Sequence, residues 1–253
     1  MLKSVIDIVE TLATGIRAPQ RPPTSLGELA TTFSAIDDPL AASLRAALAE
    51  IRPDAGWVDE FEDVPGGEVW VVDALDGAVQ LVQGLPQYCV TVTLLRDGEA
   101  ELAVLHSPWL GETYSASRGA GAWRNGTPIS PSRKTSLDAA VAATSQPPFV
   151  TQQPGVSAAA GRSLTAVLDE VAAVRNLGPT SWQVADVAAG RLDVFWQYGR
   201  DATNLVGAAL IAREAGAVVT TADGTPWAPT SPSFLTATPT LHPLALAALA
   251  GKP

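Results

Sequence analysis

Residues 60–78 read EFEDVPGGEVWVVDALDGA, and this stretch decides the fold. Val69 to Asp73 is a short apolar run suited to a buried strand, and Asp76-Gly77 supplies turn chemistry directly after it. A strand ending in one acid, with a second acid three residues on and then glycine, can aim two carboxylates and a backbone carbonyl at one hard cation. The amides that follow can face a phosphate oxygen. Taken alone, the same residues also fit a strand end followed by an ordinary turn.

Working outward, residues 3–13 carry Val5, Ile6, Val9 and Leu12 on one helical face, and a Pro-rich loop follows around Ala18–Thr24. The spacing of Leu40, Leu44, Leu48 and Ile51 predicts a helix over 40–51, ended by Pro53. Residues 88–95 and 102–106 around Asp97-Gly98 predict a β-hairpin, with another strand at 112–117. Further on, strands are expected at 139–144, 192–197, 218–221 and 234–238. Helices are expected at 163–174, 181–190 and 202–215, the last capped by Gly216, with a final Ala/Leu helix. The Pro, Gln, Ser and Ala content of 145–161 predicts an irregular connection. The mixture implies a layered α/β (α+β) architecture dividing near residue 140, into 1–140 and 141–253.

Composition narrows the chemistry. The 253 residues are 47% hydrophobic and 17% charged, enough to bury a large core. A formal net charge of −10 argues against nucleic acid or an anionic membrane surface as partner. One cysteine, Cys89, excludes an internal disulfide framework, and two histidines exclude a histidine-rich metal site, so oxygen ligands carry any metal chemistry. No stretch reaches the roughly 18 uninterrupted apolar residues of a membrane span. The N-terminus, MLKSVIDIVETLATGIR, lacks the pattern of a cleaved leader, which gives a cytoplasmic expectation.

Several other segments fall into order around residues 60–78. SRGAGAWRNGTPI (117–129), VAAGRLD (187–193), and Asp201 with a small-residue helix ending REAGA (213–217) stand in sequence downstream, and Asp37 lies upstream. Together they resemble the inositol monophosphatase-like superfamily, whose signature is Trp, two apolar residues, Asp-Pro-Leu/Ile-Asp-Gly-Thr, with a Trp-Asp motif later in the chain. The resemblance implies the layered α-β-α-β-α sandwich of the sugar-phosphatase type and a homodimer. The implied activity is Mg²⁺-dependent hydrolysis of a small phosphorylated metabolite, a sugar or polyol phosphate, by metal-activated water.

Residue by residue, it implies that Glu60, Asp73 and the Leu75 carbonyl hold one ion, and that Asp73, Asp76 and Asp201 hold a second. The amides of Gly77 and Ala78 would cradle phosphate, with Gln197 where many relatives place a glutamate near a polyol substrate. Arg200, outside the family pattern, fits either a binding residue for an additional anion on the substrate or a solvated surface arginine. Asp37 would be the outer acid that orients the attacking water. Local sequence equally fits Asp37 as a helix cap before Pro39, and Asp38 competes for the role. Asp201 also fits a helix cap, and Glu60 a solvated acidic patch with Asp59, Glu62 and Asp63. The chain departs from the signature in four ways. Ala74 stands for proline, Ala78 for Thr or Ser, Gln80-Leu81 for Asn-Phe, and Arg200 for tryptophan. Loss of the hydroxyl at Ala78 predicts impaired water activation, and leaves a noncatalytic phosphometabolite-binding protein or other metal-assisted chemistry as alternatives.

Overall fold

The computed structural model describes residues 1–58, 61 and 66–251. Among them, α1 (Leu2–Ala13) and α2 (Leu26–Ile51) lead into β1 (Gly56–Trp57) and β2 (Glu68–Asp76), and the short α3 (Ala78–Val82) follows. A meander of β3 (Cys89–Arg96), β4 (Glu99–Ser107), β5 (Glu112–Ser117), β6 (Gly121–Arg124) and β7 (Thr127–Pro128) completes a seven-stranded sheet in sequence order. The remaining strands and α-helices are β8 (Val141–Thr144), α4 (Val156–Leu168), β9 (Ala173–Arg175), α5 (Thr180–Ala188), β10 (Val194–Tyr198), α6 (Ala202–Glu214), β11 (Val218–Thr220), β12 (Ser233–Ala237) and α7 (His242–Leu249). Their strands form a five-stranded sheet of order β11-β12-β10-β8-β9.

Three apolar cores stack these elements into five layers. Val5, Val9, Leu44 and Leu48 of α1 and α2 pack on one face of the first sheet, against Trp70, Val92 and Val104. The other face meets α5 and α6 through Val71, Leu105 and Tyr114, and the second sheet closes this core with Phe195 and Phe234. Beyond it, α4 and α7 cover Trp196 and Leu235 with Val167 and Ala245. Both central helices are buried nearly all round, so they carry none of the one-sided apolar striping of a surface helix.

Most expected elements form, with three corrections. The helix expected over 40–51 begins at Leu26 and runs through Pro39. Its start is fixed by Ser25, whose side chain accepts from the Glu28 amide at 3.2 Å, while Glu28 reaches back to the Thr24 amide at 2.8 Å. The helix expected over 163–174 lies at Val156–Leu168 instead, so the last part of the supposed irregular connection, from Val156 on, is helical and Ala173–Arg175 is an edge strand. The strand expected to stop at Asp73 continues to Asp76. Among the described residues no helix is long and apolar enough to cross a membrane.

Candidate active site

The two acids of β2 share a side of the sheet because of a bulge. Asp73 pairs with Thr91 of β3 and Asp76 pairs with Cys89, so three steps on β2 match two on its partner. In a regular strand, residues three apart point to opposite faces; one extra residue restores the same face. Ala74 and Leu75 form the irregularity, and the Leu75 amide donates to Asp73 Oδ1 at 3.0 Å. The Leu75 side chain is anchored in the core under α1 and α2.

Directly after Asp76 the chain turns at Gly77 (φ +94), the N-cap of α3. A Cβ there would stand 2.7 Å from the Gln87 carbonyl oxygen and 3.0 Å from Tyr88 Cα, so glycine is required on both conformational and steric grounds. The Leu81 amide makes the first helical bond, to Gly77 O at 3.0 Å. The amides from Ala78 onward are therefore the donors a helix start leaves without intrahelical partners. Ala78 packs its methyl group against the first core and offers no hydroxyl.

Asp201 arrives from the other sheet. It is the N-cap of α6, yet its side chain makes no cap bond. Its two oxygens accept instead from Gln197 Nε2 and Asn204 Nδ2, each at 2.8 Å. Gln197 is 0% exposed, and its Oε1 accepts from the Thr180 hydroxyl at 3.0 Å. The glutamine expected near the substrate is thus an internal brace for Asp201.

Asp76 has a partner of its own. Both the Ser181 hydroxyl, at 2.5 Å, and the Ser181 amide, at 3.3 Å, donate to its Oδ2, and Ser181 Oγ lies 3.4 Å from Cys89 Sγ. Sequence reasoning missed Ser181, which is 105 residues from its acid and carries no local signal. Asn204 was detectable in principle, because a residue three positions into a helix sits beside its cap.

Burial sets the electrostatics. Asp73 is pushed up to about 7, first by burial and further by the charges of Asp37 and Asp201. Asp201 rises to about 6, burial outweighing its amide hydrogen bonds. Asp76 is held well above the usual carboxylate range by burial and by Asp73. Asp37, inside α2 and half-buried, is itself raised by burial and then by Asp38. Of the two neighbouring acids it is Asp37 whose charge acts on Asp73.

Asp73 and Asp201 line a cleft of about 540 Å³ together with Phe61, Pro148, Arg200 and Asn204. Glu60 lies outside the described residues. Among the described residues no group of three or more His, Cys, Asp or Glu side chains is arranged to hold a metal ion. Mg²⁺ does not need such a cage, since it is commonly bound by one or two carboxylates, waters and substrate phosphate. An all-oxygen donor set whose members resist ionisation beside one another fits a hard cation that would neutralise them.

A five-layer α-β-α-β-α sandwich with carboxylates from both halves meeting in a cleft is an architecture of the sugar-phosphatase type. The profile of the inositol monophosphatase family matches residues 25–252. An inositol-1-monophosphatase of Rhizobium meliloti is 32% identical over 228 residues, covering 88% of this chain and 85% of that protein. A Pseudomonas aeruginosa protein called Nus factor SuhB is 32% identical over 187 residues, 73% of this chain and 69% of that one. The solved inositol monophosphatase of Anabaena (Nostoc) sp. PCC 7120 shares the fold, with a TM-score of 0.84 at 23% identity over 100% of this chain and 96% of that one. The chain belongs to the inositol monophosphatase family.

Proposed function

We propose that the protein is a Mg²⁺-dependent phosphomonoesterase acting on a small phosphorylated metabolite. The observation that carries this reading is that Asp73 and Asp201 line one cleft and that the bulge sets Asp76 on the same side of β2 as Asp73, with burial holding all three carboxyls above their normal range. Carboxylates so placed are unfavourable alone and become favourable with a divalent cation between them. In the proposal Asp73, Asp76, Asp201, Glu60 and the Leu75 carbonyl are the ligands. When bound, Mg²⁺ would neutralise the phosphate and lower the pKa of an attacking water.

The chain's own groups supply the rest. The amides of Gly77 and Ala78 cradle phosphate oxygens at the start of α3. Asp37, whose charge acts on Asp73, receives the proton of the attacking water. Ser181 fixes the Asp76 carboxylate, and Gln197 and Asn204 fix that of Asp201. Most ligands belong to the half before residue 140, and Asp201 to the half after it. The proposal extends to a cytoplasmic homodimer with no nucleic-acid or membrane partner, which the net charge of −10 supports.

The test is phosphate release across a panel of small phosphomonoesters. Release should require Mg²⁺, stop with EDTA, and fall at least a hundredfold in Asp76→Asn; Mg²⁺-independent release, or an Asp76→Asn variant as active as wild type, overturns the reading. One observation favours a second reading: Ala78 brings no hydroxyl to the start of α3, as a phosphometabolite-binding protein without turnover would allow. In that case calorimetry gives Mg²⁺-dependent phosphoester binding while phosphate release stays at background.

A further inference from the structure

One wall of the cleft is the turn between β10 and α6, and this turn is built around Arg200. Gly199 has φ +94 and its amide donates to the Pro232 carbonyl at 2.7 Å. A Cβ at that position would lie 2.6 Å from Pro147 Cγ and 2.9 Å from Gln153 Oε1, so the chain can fold back this closely only with glycine. The Gln153 side-chain amide then grips the next residue at both ends. The Arg200 amide donates to Gln153 Oε1 at 2.7 Å, and Gln153 Nε2 donates to the Arg200 carbonyl at 3.0 Å. The backbone of Arg200 is clamped by Gln153, and the residue, which is exposed, lines the cleft with Asp73 and Asp201.

Adjacent residues face different ways here. The Asp201 side chain turns inward to Gln197 and Asn204 and is 7% exposed, whereas Arg200 is exposed at the cleft wall. Among the described lining residues Arg200 is the only cation; Phe61, Pro148, Ala202 and Pro229 offer no side-chain hydrogen bonds, and Thr203 and Thr230 contribute neutral hydroxyls. Gln197 is fully engaged below the surface. A guanidinium carries five N–H donors in a planar fork, so it can hold its surroundings and still grip a carboxylate or phosphate.

We propose that Arg200 is a specificity residue that binds a second anionic group on the substrate, a carboxylate or a second phosphate, several ångströms from the phosphate that is released. This rests on the phosphatase reading and narrows it, from sugar and polyol phosphates in general to small phosphate monoesters carrying another negative charge.

Three substrates of closely similar skeleton test it: glycerol 3-phosphate as the reference, 3-phosphoglycerate with a carboxylate, and glycerol 1,3-bisphosphate with a second phosphate. Wild type should favour at least one anionic member over the reference by tenfold or more in kcat/KM, mainly through KM, and the favoured arm identifies the anion. Arg200→Gln should remove that preference through a 10- to 100-fold loss on the favoured substrate, leaving glycerol 3-phosphate within about threefold. Arg200→Lys should restore part of it. An equal fall on all three substrates would place Arg200 on the departing phosphate and overturn the proposal, as would a wild type without preference. If wild type hydrolyses none of them, the phosphatase reading is what has failed. Calorimetry with Mg²⁺ and 3-phosphoglycerate or the bisphosphate then decides this proposal: binding weakened tenfold in Arg200→Gln upholds it, and binding that is absent or indifferent to Arg200 overturns it.

Discussion

Substituting Gly77 by alanine tests whether the turn between Asp76 and α3 is as tightly constrained as its geometry implies. Two penalties add. A non-glycine residue at φ +94 costs about 1–2 kcal/mol. Its Cβ would also meet the Gln87 carbonyl oxygen at 2.7 Å and Tyr88 Cα at 3.0 Å, backbone atoms that no rotamer change removes, which adds about 1–3 kcal/mol. Restricting the unfolded chain returns about 0.4–1 kcal/mol. The net is a loss of about 1–5 kcal/mol, or roughly 2–20 °C in melting temperature for a chain of this size.

Gly84→Ala is the matched control, because Gly84 also has positive φ (+71) but nothing lies within 4 Å of its added Cβ. Differential scanning calorimetry should place Gly77→Ala about 1–3 kcal/mol below Gly84→Ala. Mg²⁺-dependent phosphate release should suffer in the first variant and not in the second, since relief of the clash displaces Asp76 or the Ala78 amide. Equal melting temperatures for the two variants, with activity intact in both, would refute the reasoning.

Three further outcomes are expected. In EDTA at pH 8, Asp76→Asn should melt at or above the wild-type temperature, because it removes a charge that burial and Asp73 disfavour, and it should lose the Mg²⁺-induced rise; a lower melt with the rise retained contradicts the site. Burial holds the folded-state pKa of His242 below its ordinary 6.5, so the unfolded chain binds the proton more readily and stability is lost as pH falls through about 6.5. Urea melts at pH 8 and pH 5 should therefore show a smaller acid loss in His242→Asn than in wild type, a difference from which the oppositely signed carboxylate contributions cancel. Ser25→Ala should cost about 1 kcal/mol in the same melts, from loss of the α2 cap.

Much of this arrangement was legible in the sequence, and the exceptions share physical causes. Strand β2, the hairpin after it and α6 follow from apolar runs, Asp97-Gly98 and the cap at Gly216, all local signals. The first part of α2, about four turns from Leu26 to Pro39, was hidden by Pro39, which ordinarily marks a boundary, although Ser25 and Glu28 carry the reciprocal capping pattern that announces the true start. Helix α4 was obscured because Ser, Ala and Gly read as linker, and its stability comes from packing against α7 and β10, not from striping. The bulge that turns Asp73 and Asp76 to one side is a property of strand pairing and leaves no mark in DALD itself. Likewise the engagement of Gln197 with Asp201 goes with the short turn through Gly199, where the distant Pro147 and Gln153 leave no room for a Cβ and Gln153 holds the Arg200 backbone.

The central claim is that Asp73, Asp76 and Asp201 form a cation-dependent phosphate site whose turnover is held back by Ala78. The most direct test is the initial rate of phosphate release as a function of Mg²⁺, measured side by side for wild type and Ala78→Thr. The predicted result is Mg²⁺-saturable release by wild type, abolished by EDTA, with kcat rising roughly tenfold or more when the hydroxyl is supplied. Release that ignores Mg²⁺ in both proteins, or an Ala78→Thr variant no faster than wild type, would contradict it.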